Sequence, residues 1–360
     1  MRRFLLLLSL YIFCKTDARS QGCVAIRSTG STCNKMHESS KEWRMGVSYR
    51  YFKSFRHFVG TDEQEQRLQQ HTEVINWQHA MNIELTRQFN NRWSIGVYVP
   101  VLANTRSSLY EHGGNNAGQA GRHKTHSFGL GDIRIAAYKW LLDPAKSMKG
   151  NIQAGLGIKL PTGDYRYQDY FIKNSTTQIL GPVDQSIQLG DGGTGFTTEV
   201  NAFYNLSRHF SFYGNFYYLI NPREQNGVST ARGETPSASA IQYGSAVMSV
   251  PDQYMARFGG NYSVKHFTIS AGLRHECLPA EDLIGGSSGF RRPGYVTSIE
   301  PGITYEFKKA TAYINVPAAL WRNRTQSYPD KTRTKITGVY AHGDAAFADY
   351  SINIGVTFKL

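Results

Sequence analysis

Strict alternation of apolar and polar residues recurs along most of this chain. In the stretch NIQAGLGIKLPTGD, which begins at Asn151, apolar side chains occupy alternate positions, and polar side chains or glycines occupy the positions between them. Successive side chains of an extended strand point to opposite faces, so the pattern predicts a β-strand with one apolar face and one polar face. The apolar face of such a strand is buried in a soluble core, or it faces lipid in a membrane barrel.

The segments that join the alternating stretches favour the membrane barrel. Long polar segments alternate with short turns, such as those at Asn90–Arg92, Ser207–His209 and Lys308–Lys309. This asymmetry is typical of outer-membrane barrels, and it gives about twelve strands with both chain ends on the periplasmic side. The predicted fold is therefore all-β: a closed antiparallel transmembrane β-barrel with short periplasmic turns and long extracellular loops.

A large secreted β-sandwich or propeller is the alternative all-β fold. The chain shows no regular blade repeat, and its aromatic residues gather at the ends of the predicted strands, where a membrane-interface girdle would lie. The expected girdle residues are Phe89, Trp93, Trp140, Phe210, Phe307 and Trp321. These features favour the barrel, located in the bacterial outer membrane.

The N-terminus has the pattern of a secretory signal. Two arginines, a short apolar run and a small-residue exit predict a signal peptide at residues 1–20, a periplasmic tail at 21–42 and the barrel at 43–360. Outside the cytoplasm, Cys23 and Cys33 are close enough in sequence to form a disulfide, and free thiols are the alternative. No cysteine or histidine pair has metal-ligand spacing, so neither a metal nor a cofactor is expected.

Three glycine-rich motifs occur in order along the middle of the chain: Gly129–Asp132, Lys159–Asp164 and Leu189–Gly192. In type and order they resemble a family of predicted outer-membrane transporters named after the meta pathway of phenol degradation. The resemblance implies a Gram-negative outer-membrane barrel with a passive transport role. The barrel assembly machinery is an expected partner, although Leu360 stands where barrels usually end on an aromatic residue.

The strand phases predict which ionisable residues face the interior. Seven bases and seven acids fall on the inward face, so the interior is nearly neutral although the whole chain carries a formal charge of +13. The candidate lumen-lining residues are Arg50, Glu84, Asp132, Arg134, Lys159, Glu199, Arg257, Arg274, Glu300 and Asp349. They fit either a polar channel for a small solute or a network of salt bridges that plugs the lumen.

The functional hypothesis is a passive outer-membrane channel for a small solute, apolar or aromatic in character. A structural or surface-interaction barrel with a plugged lumen is the second hypothesis, and an outer-membrane lipid-modifying enzyme is the third. No nucleophile and base stand in a recognisable motif, so we expect no enzyme. The basic stretches Gly121–His126 and Arg322–Lys335 could contact outer-membrane lipid and lipopolysaccharide, and nucleic acid is not an expected partner.

Overall fold

The computed structural model describes residues 21–22 and 41–360. Over residues 41–360, twelve antiparallel strands form one closed barrel, which confirms the predicted fold. The strands are β1 Trp43–Val59, β2 Ile75–Gln88, β3 Trp93–Ser108, β4 His123–Leu130 with Arg134–Trp140, β5 Gly150–Lys159, β6 Gly195–Asn205, β7 Phe210–Ile220, β8 Gln253–Val264, β9 Phe267–Leu278, β10 Gly294–Ile299 with Gly302–Glu306, β11 Ala310–Asn315 with Ala318–Asn323, and β12 Ala345–Lys359.

Pairing between the first and last barrel strands closes the sheet. Strand β1 pairs with β2 along one edge and with β12 along the other, from Arg44 opposite Lys359 to Phe58 opposite Ala345. Closure leaves no strand edge with unsatisfied backbone groups, as a membrane requires. The long connections, such as residues 160–194 and 221–252, lie at one end of the barrel, and the short ones, such as 265–266, lie at the other. We call these the long-loop end and the short-turn end.

Two of the interrupted strands break at prolines. The gap in β10 contains Pro301 and the gap in β11 contains Pro317, and proline has no N–H to contribute to a ladder. The carbonyl of Pro301 still accepts a hydrogen bond from the Val316 N–H at 3.0 Å. The wall therefore stays closed at these two gaps.

The alternation read from the sequence corresponds to the two faces of the barrel. On β5, Ile152 and Leu156 are 44% and 69% exposed on the outer face, whereas Lys159 is only 6% exposed on the inner face. The expectation that Trp140 belongs to an outer girdle is wrong, because Trp140 is in phase with the inward Tyr138 and is buried against Phe203.

The long loops carry the remaining regular structure. They contain the helices α1 Glu65–Gln69, α2 Ala238–Tyr243 and α3 Tyr328–Thr337, the 3-10 turns Asn115–Ala117, Gln119–Gly121 and Gln185–Ile187, the two-residue strand Asp62–Glu63, and two pairs of short strands, Gln168–Ile172 with Gln178–Pro182 and Gln225–Ser229 with Val247–Ser249. Helix α3 begins at a capping box formed by Ser327 and Asp330, and it ends at Gly338 in the left-handed conformation.

Two N-terminal residues are also described. Gln21–Gly22 form a short strand that pairs antiparallel with Ala348 and Phe347 of β12. The predicted signal peptide, the remainder of the tail up to residue 40 and the predicted disulfide between Cys23 and Cys33 lie outside the described residues. Within the described part of the chain, no helix is long and apolar enough to cross a membrane.

Candidate functional site

Within residues 41–360, an inner cavity and a second cavity lie end to end along the barrel. The inner cavity has a volume of about 150 Å³ and is lined by side chains that include Tyr98, Arg134, Lys159 and Tyr217. The second cavity, which we call the vestibule, has a volume of about 700 Å³ and lies among the long loops. Arg292 and Met248 line both cavities, so they stand at the boundary between the two.

The three glycine-rich motifs meet beside the inner cavity. The carboxylate of Asp132, from the first motif, accepts hydrogen bonds from the backbone N–H groups of Gly163 at 3.0 Å and Asp191 at 3.2 Å, from the second and third motifs. The Lys159 ammonium forms ion pairs with Asp132, at 3.5 Å, and with Asp191. This cluster, the motif node, therefore fastens both ends of the β5–β6 loop to the wall at the break in β4.

Close backbone approach explains a glycine in the motif node. A Cβ atom on Gly190 would lie 2.5 Å from Asp132 Oδ1 and 2.7 Å from the Gly163 carbonyl oxygen. Side-chain carbons do not approach other heavy atoms that closely, so the loop needs glycine at this position. The motif pattern thus reflects packing around one buried carboxylate.

A second group of charges spans β4 to β6. Arg134 forms an ion pair with Glu199, and its guanidinium lies 3.9 Å from the centre of the Tyr98 ring. The Tyr138 hydroxyl lies 2.8 Å from the Tyr98 hydroxyl and 3.1 Å from Glu199 Oε1. Two inward positions of β5 between these strands are glycines, Gly155 and Gly157, which leaves space for the pair to form. Glu84 on β2 accepts a hydrogen bond from the Thr86 hydroxyl at 2.9 Å.

A third group, the cross-barrel network, joins strands that are not neighbours across the interior. Arg50 on β1 binds Glu276 on β9 at 3.1 Å, and Arg274 binds the same carboxylate at 2.8 Å. Arg257 on β8 binds Glu300 at 2.7 Å, and Arg274 lies 3.5 Å from Glu300. All five side chains are at most 5% exposed. Since β1 and β9 are not neighbours in the sheet, the network spans the interior.

Asp349 lies apart from the other candidate residues. It is at the long-loop end of β12, and its side chain is 33% exposed. Its carboxylate pairs with Arg56 at 3.0 Å and lies 4.0 Å from Arg322. The remaining nine candidates belong to the motif node, the β4–β6 group or the cross-barrel network, or lie near them.

The boundary between the cavities is built mainly from residues that strand periodicity did not identify. Residues 183–188 of the β5–β6 loop, which we call the septum, separate the two cavities: Gln185, Ser186 and Gln188 line the inner cavity, and Asp184 lines the vestibule. Asp184 at the start of the septum forms two hydrogen bonds with Arg292, at 2.8 and 2.7 Å, and lies 3.5 Å from Arg106. Burial raises the pKa of Asp184, but the charges of Arg106 and Arg292 outweigh burial and hold that pKa well below its usual range.

Backbone contacts hold the septum against the wall. The Gln78 amide donates to the Ser186 carbonyl at 2.7 Å, and the Asn104 amide donates to the Ile187 carbonyl at 3.3 Å. The Gln185 amide donates to the Ser249 carbonyl at 2.8 Å, which links the septum to the β7–β8 loop. Asp184 and Arg292 lie in loops, where no periodicity assigns a side chain to a face. A charged residue near the centre of a long loop was the only available signal.

Comparison with known proteins supports the fold. No protein-family model matches the chain, and no curated protein sequence matches it. An outer-membrane channel from Pseudomonas putida F1 superposes with a TM-score of 0.61 at 12% sequence identity, covering 92% of this chain and 100% of the channel. The translocator domain of the autotransporter NalP from Neisseria meningitidis gives 0.44 at 11% identity, covering 90% of each chain. The toluene transporter TbuX from Ralstonia pickettii gives 0.39 at 9% identity, covering 90% of each chain.

The chain has the fold of an outer-membrane β-barrel. In such barrels the long loops are extracellular and the short turns are periplasmic, so the vestibule is at the extracellular end. The outer surface agrees with this orientation: near the long loops, the rings of Tyr218, Tyr254, His275 and Tyr295 contact one another across four adjacent strands, with centroids 5.2 to 5.8 Å apart. Aromatic rings are enriched at this level of a membrane.

Proposed function

We propose that the protein is a passive channel for a small solute, which is closed at the septum in this conformation. The supporting observation is the pair of cavities that lie end to end inside one closed barrel and share Arg292 and Met248. A solute that enters the vestibule from outside reaches the inner cavity once the septum moves. Movement of the septum requires the Asp184–Arg292 ion pair to separate, because that pair holds two loops together.

The size and walls of the inner cavity limit the solute. A volume of about 150 Å³ holds one molecule of the size of a single aromatic ring. Apolar surface from Tyr98, Tyr217, Leu219 and Leu278 faces amide side chains across the cavity. The amides are Gln78, Asn82, Gln185, Gln188, Asn226 and Gln253. A small solute with an apolar body and a hydrogen-bonding group fits this lining.

The predicted lumen-lining residues have a role in this proposal. Lys159 and Asp132 hold the base of the septum loop, and Arg134, which pairs with Glu199, forms part of the inner-cavity wall. Arg50, Arg257, Arg274 and Glu300 lie on the path between the inner cavity and the periplasm. We propose that residues 1–20 direct export, that residues 21–42 precede the barrel, and that outer-membrane lipid, lipopolysaccharide and the assembly machinery are its partners.

A structural barrel with a plugged lumen is the second candidate. The observation that favours it is the cross-barrel network, in which buried arginines and glutamates join β1 to β9 and leave few groups for a solute to bind. The two candidates differ in one measurable property, because a permanently plugged barrel conducts no solute.

Swelling of proteoliposomes separates the two candidates. The refolded full-length protein is placed in liposomes that are diluted into isotonic arabinose, a small uncharged sugar, or into an isotonic tetrasaccharide. The channel proposal expects faster swelling than in protein-free liposomes with arabinose and none with the tetrasaccharide. Equal rates with and without a folded barrel in arabinose would support the plugged barrel.

A further inference from the structure

The charge of the vestibule wall is unbalanced. Seven arginines and four carboxylates line it, an excess of three positive charges. Two more carboxylates lie behind this wall, where Glu111 binds Arg106 and Arg232 and Asp282 binds Arg291. One positive charge remains even when those two are counted. The low dielectric of a partly enclosed cavity strengthens the attraction of such an excess for an anion.

The wall already holds carboxylates in the geometry that arginine prefers. Arg292 binds Asp184 through two parallel hydrogen bonds, Arg324 binds Asp330 at 3.1 Å and Arg67 binds Asp344 at 2.7 Å. Planar guanidinium groups recognise carboxylates in this way because two N–H donors match two oxygens. The cavity is therefore chemically suited to a carboxylate.

Two arginines of the vestibule retain donors for a ligand. Arg324 lines the vestibule and is 4% exposed; within the described chain its Nε–H has no hydrogen-bond partner and is itself shielded from solvent, so a ligand oxygen reaches it when the guanidinium rotates. Arg333 on α3 forms no ion pair with any carboxylate of residues 41–360, and its guanidinium lies 5.8 Å from the centre of the Tyr243 ring. A buried donor without a partner costs free energy, which a bound oxygen atom would recover.

We propose that the vestibule is a binding site for a small organic carboxylate, with Arg324 and Arg333 as its donors. This inference rests on the proposed channel function and names the class of solute that the extracellular mouth selects. The rings of Tyr110 and Tyr243 also line the cavity and supply a surface for the apolar part of the ligand. Bound here, the carboxylate lies in the same cavity as Asp184 and competes with it for Arg292 and Arg106, which opens the septum.

Calorimetric titration of the full-length protein in a zwitterionic detergent tests the site. The probes are benzoate, its uncharged analogue benzamide, and inorganic phosphate. We expect saturable benzoate binding that is weakened by about three- to tenfold in R333Q, as expected for loss of one charge-assisted hydrogen bond. We expect the same direction in R324K, which keeps the charge beside Asp330 and removes the Nε–H donor. Benzamide and phosphate should bind more weakly than benzoate.

The matched control is K335Q, which removes one positive charge from the same helix at a residue outside the vestibule lining. It should bind benzoate as the wild type does. Equal weakening in K335Q and R333Q, equal binding of benzoate and benzamide, or tighter binding of phosphate would overturn the proposal. The swelling assay with arabinose distinguishes the two proposals. Arabinose flux in a protein whose benzoate binding does not depend on Arg333 rejects only the carboxylate site. Arg333-dependent benzoate binding without arabinose flux rejects only the channel.

Discussion

Arg50 on β1 and Glu276 on β9 are joined across the interior of the barrel by a hydrogen bond of 3.1 Å, although their strands are not neighbours in the sheet. Both side chains are almost completely buried. A buried ion left without its partner is strongly destabilising, because its desolvation is no longer offset by an opposite charge. The pair therefore stabilises the barrel by joining two strands that the hydrogen bonds of the wall do not connect.

Replacing Glu276 by Gln tests this stabilisation. The variant leaves Arg50 and Arg274 facing a neutral amide, so we expect the free energy of unfolding to fall by about 3 kcal/mol. Urea-induced unfolding of the refolded barrel, followed by tryptophan fluorescence, measures the loss. The matched control is Glu281→Gln, whose partner Lys331 is on the surface. We expect less than about 1 kcal/mol for that variant. Equal losses of unfolding free energy in both variants would show that the cross-barrel pair stabilises the barrel no more than a surface ion pair does.

A charged substitution should be more destabilising on the outward face of β5 than on its inward face. Leu156 is 69% exposed on the outer wall, and we expect Leu156→Arg to cost about 2 to 4 kcal/mol in a lipid bilayer because the arginine faces hydrocarbon. Gln153 lies on the inner face, where its side chain contacts Asn201 at 3.2 Å. Gln153→Arg should cost clearly less. Folding titrations in phospholipid vesicles compare the two, and a larger cost for Gln153→Arg would reverse the assignment of the faces.

His112 should make one contact between two long loops dependent on pH. Its Nδ1 accepts a hydrogen bond from the Ile172 N–H at 3.0 Å and so joins the β3–β4 loop to the β5–β6 loop. Burial lowers the pKa of His112 to about 4, with the nearby His123 acting in the same direction and Glu111 opposing it. An opened loop would take up a proton near the ordinary histidine pKa of about 6.5, so the contact weakens as pH falls from there toward 4.

Hydrogen–deuterium exchange measures this change. Protection factors corrected for intrinsic pH dependence should fall in residues 109–122 and 168–182 between pH 7.5 and pH 5, with those of the barrel strands unchanged. In His112→Gln the protection of both segments should no longer vary with pH in this range. A wild-type loss that persists unchanged in the variant would assign the effect to another group.

Gly190 should be intolerant of even a methyl group. Its added Cβ would meet Asp132 and Gly163 at distances that force the motif node apart. We expect Gly190→Ala to lower the free energy of unfolding by about 1 to 3 kcal/mol through overpacking. On the outer wall, Gly214 has no atom closer than 3.9 Å to an added Cβ, so Gly214→Ala should change stability by less than about 0.5 kcal/mol. Urea unfolding of the two variants gives the comparison.

Periodicity predicted the barrel because one physical rule, apolar outward and polar inward, applies to every strand. It assigned Lys159 and Arg257 to the inner face, and both are buried there. The assignment of Trp140 to the outer girdle was wrong, because an aromatic residue near a strand end can lie on either face. The alternation with Tyr138 puts Trp140 on the inner face. The functional assignment of the predicted lumen residues stays a prediction.

The septum and the vestibule could not be predicted in the same way. Asp184, Arg292 and Arg333 lie in loops or on a loop helix, and their proximity depends on how three long loops fold into the mouth of the barrel. The sequence has no periodic pattern that indicates which charged residues of different loops form ion pairs. The three glycine-rich motifs are recognisable in the sequence as a set, but their common centre at Asp132 depends on how the β5–β6 loop folds back against the break in β4.

Single-channel recording in planar bilayers tests the central claim, that the barrel is a channel closed by the Asp184–Arg292 pair. The wild type, Asp184→Asn and the control Glu234→Gln are compared; Glu234 also lines the vestibule but pairs with Lys173 at its exposed rim. We predict brief openings in the wild type and in the control, and a higher open probability in Asp184→Asn because Arg292 loses its anionic partner. Folded Asp184→Asn protein that shows no conductance, or that opens no more often than the wild type, would contradict this claim.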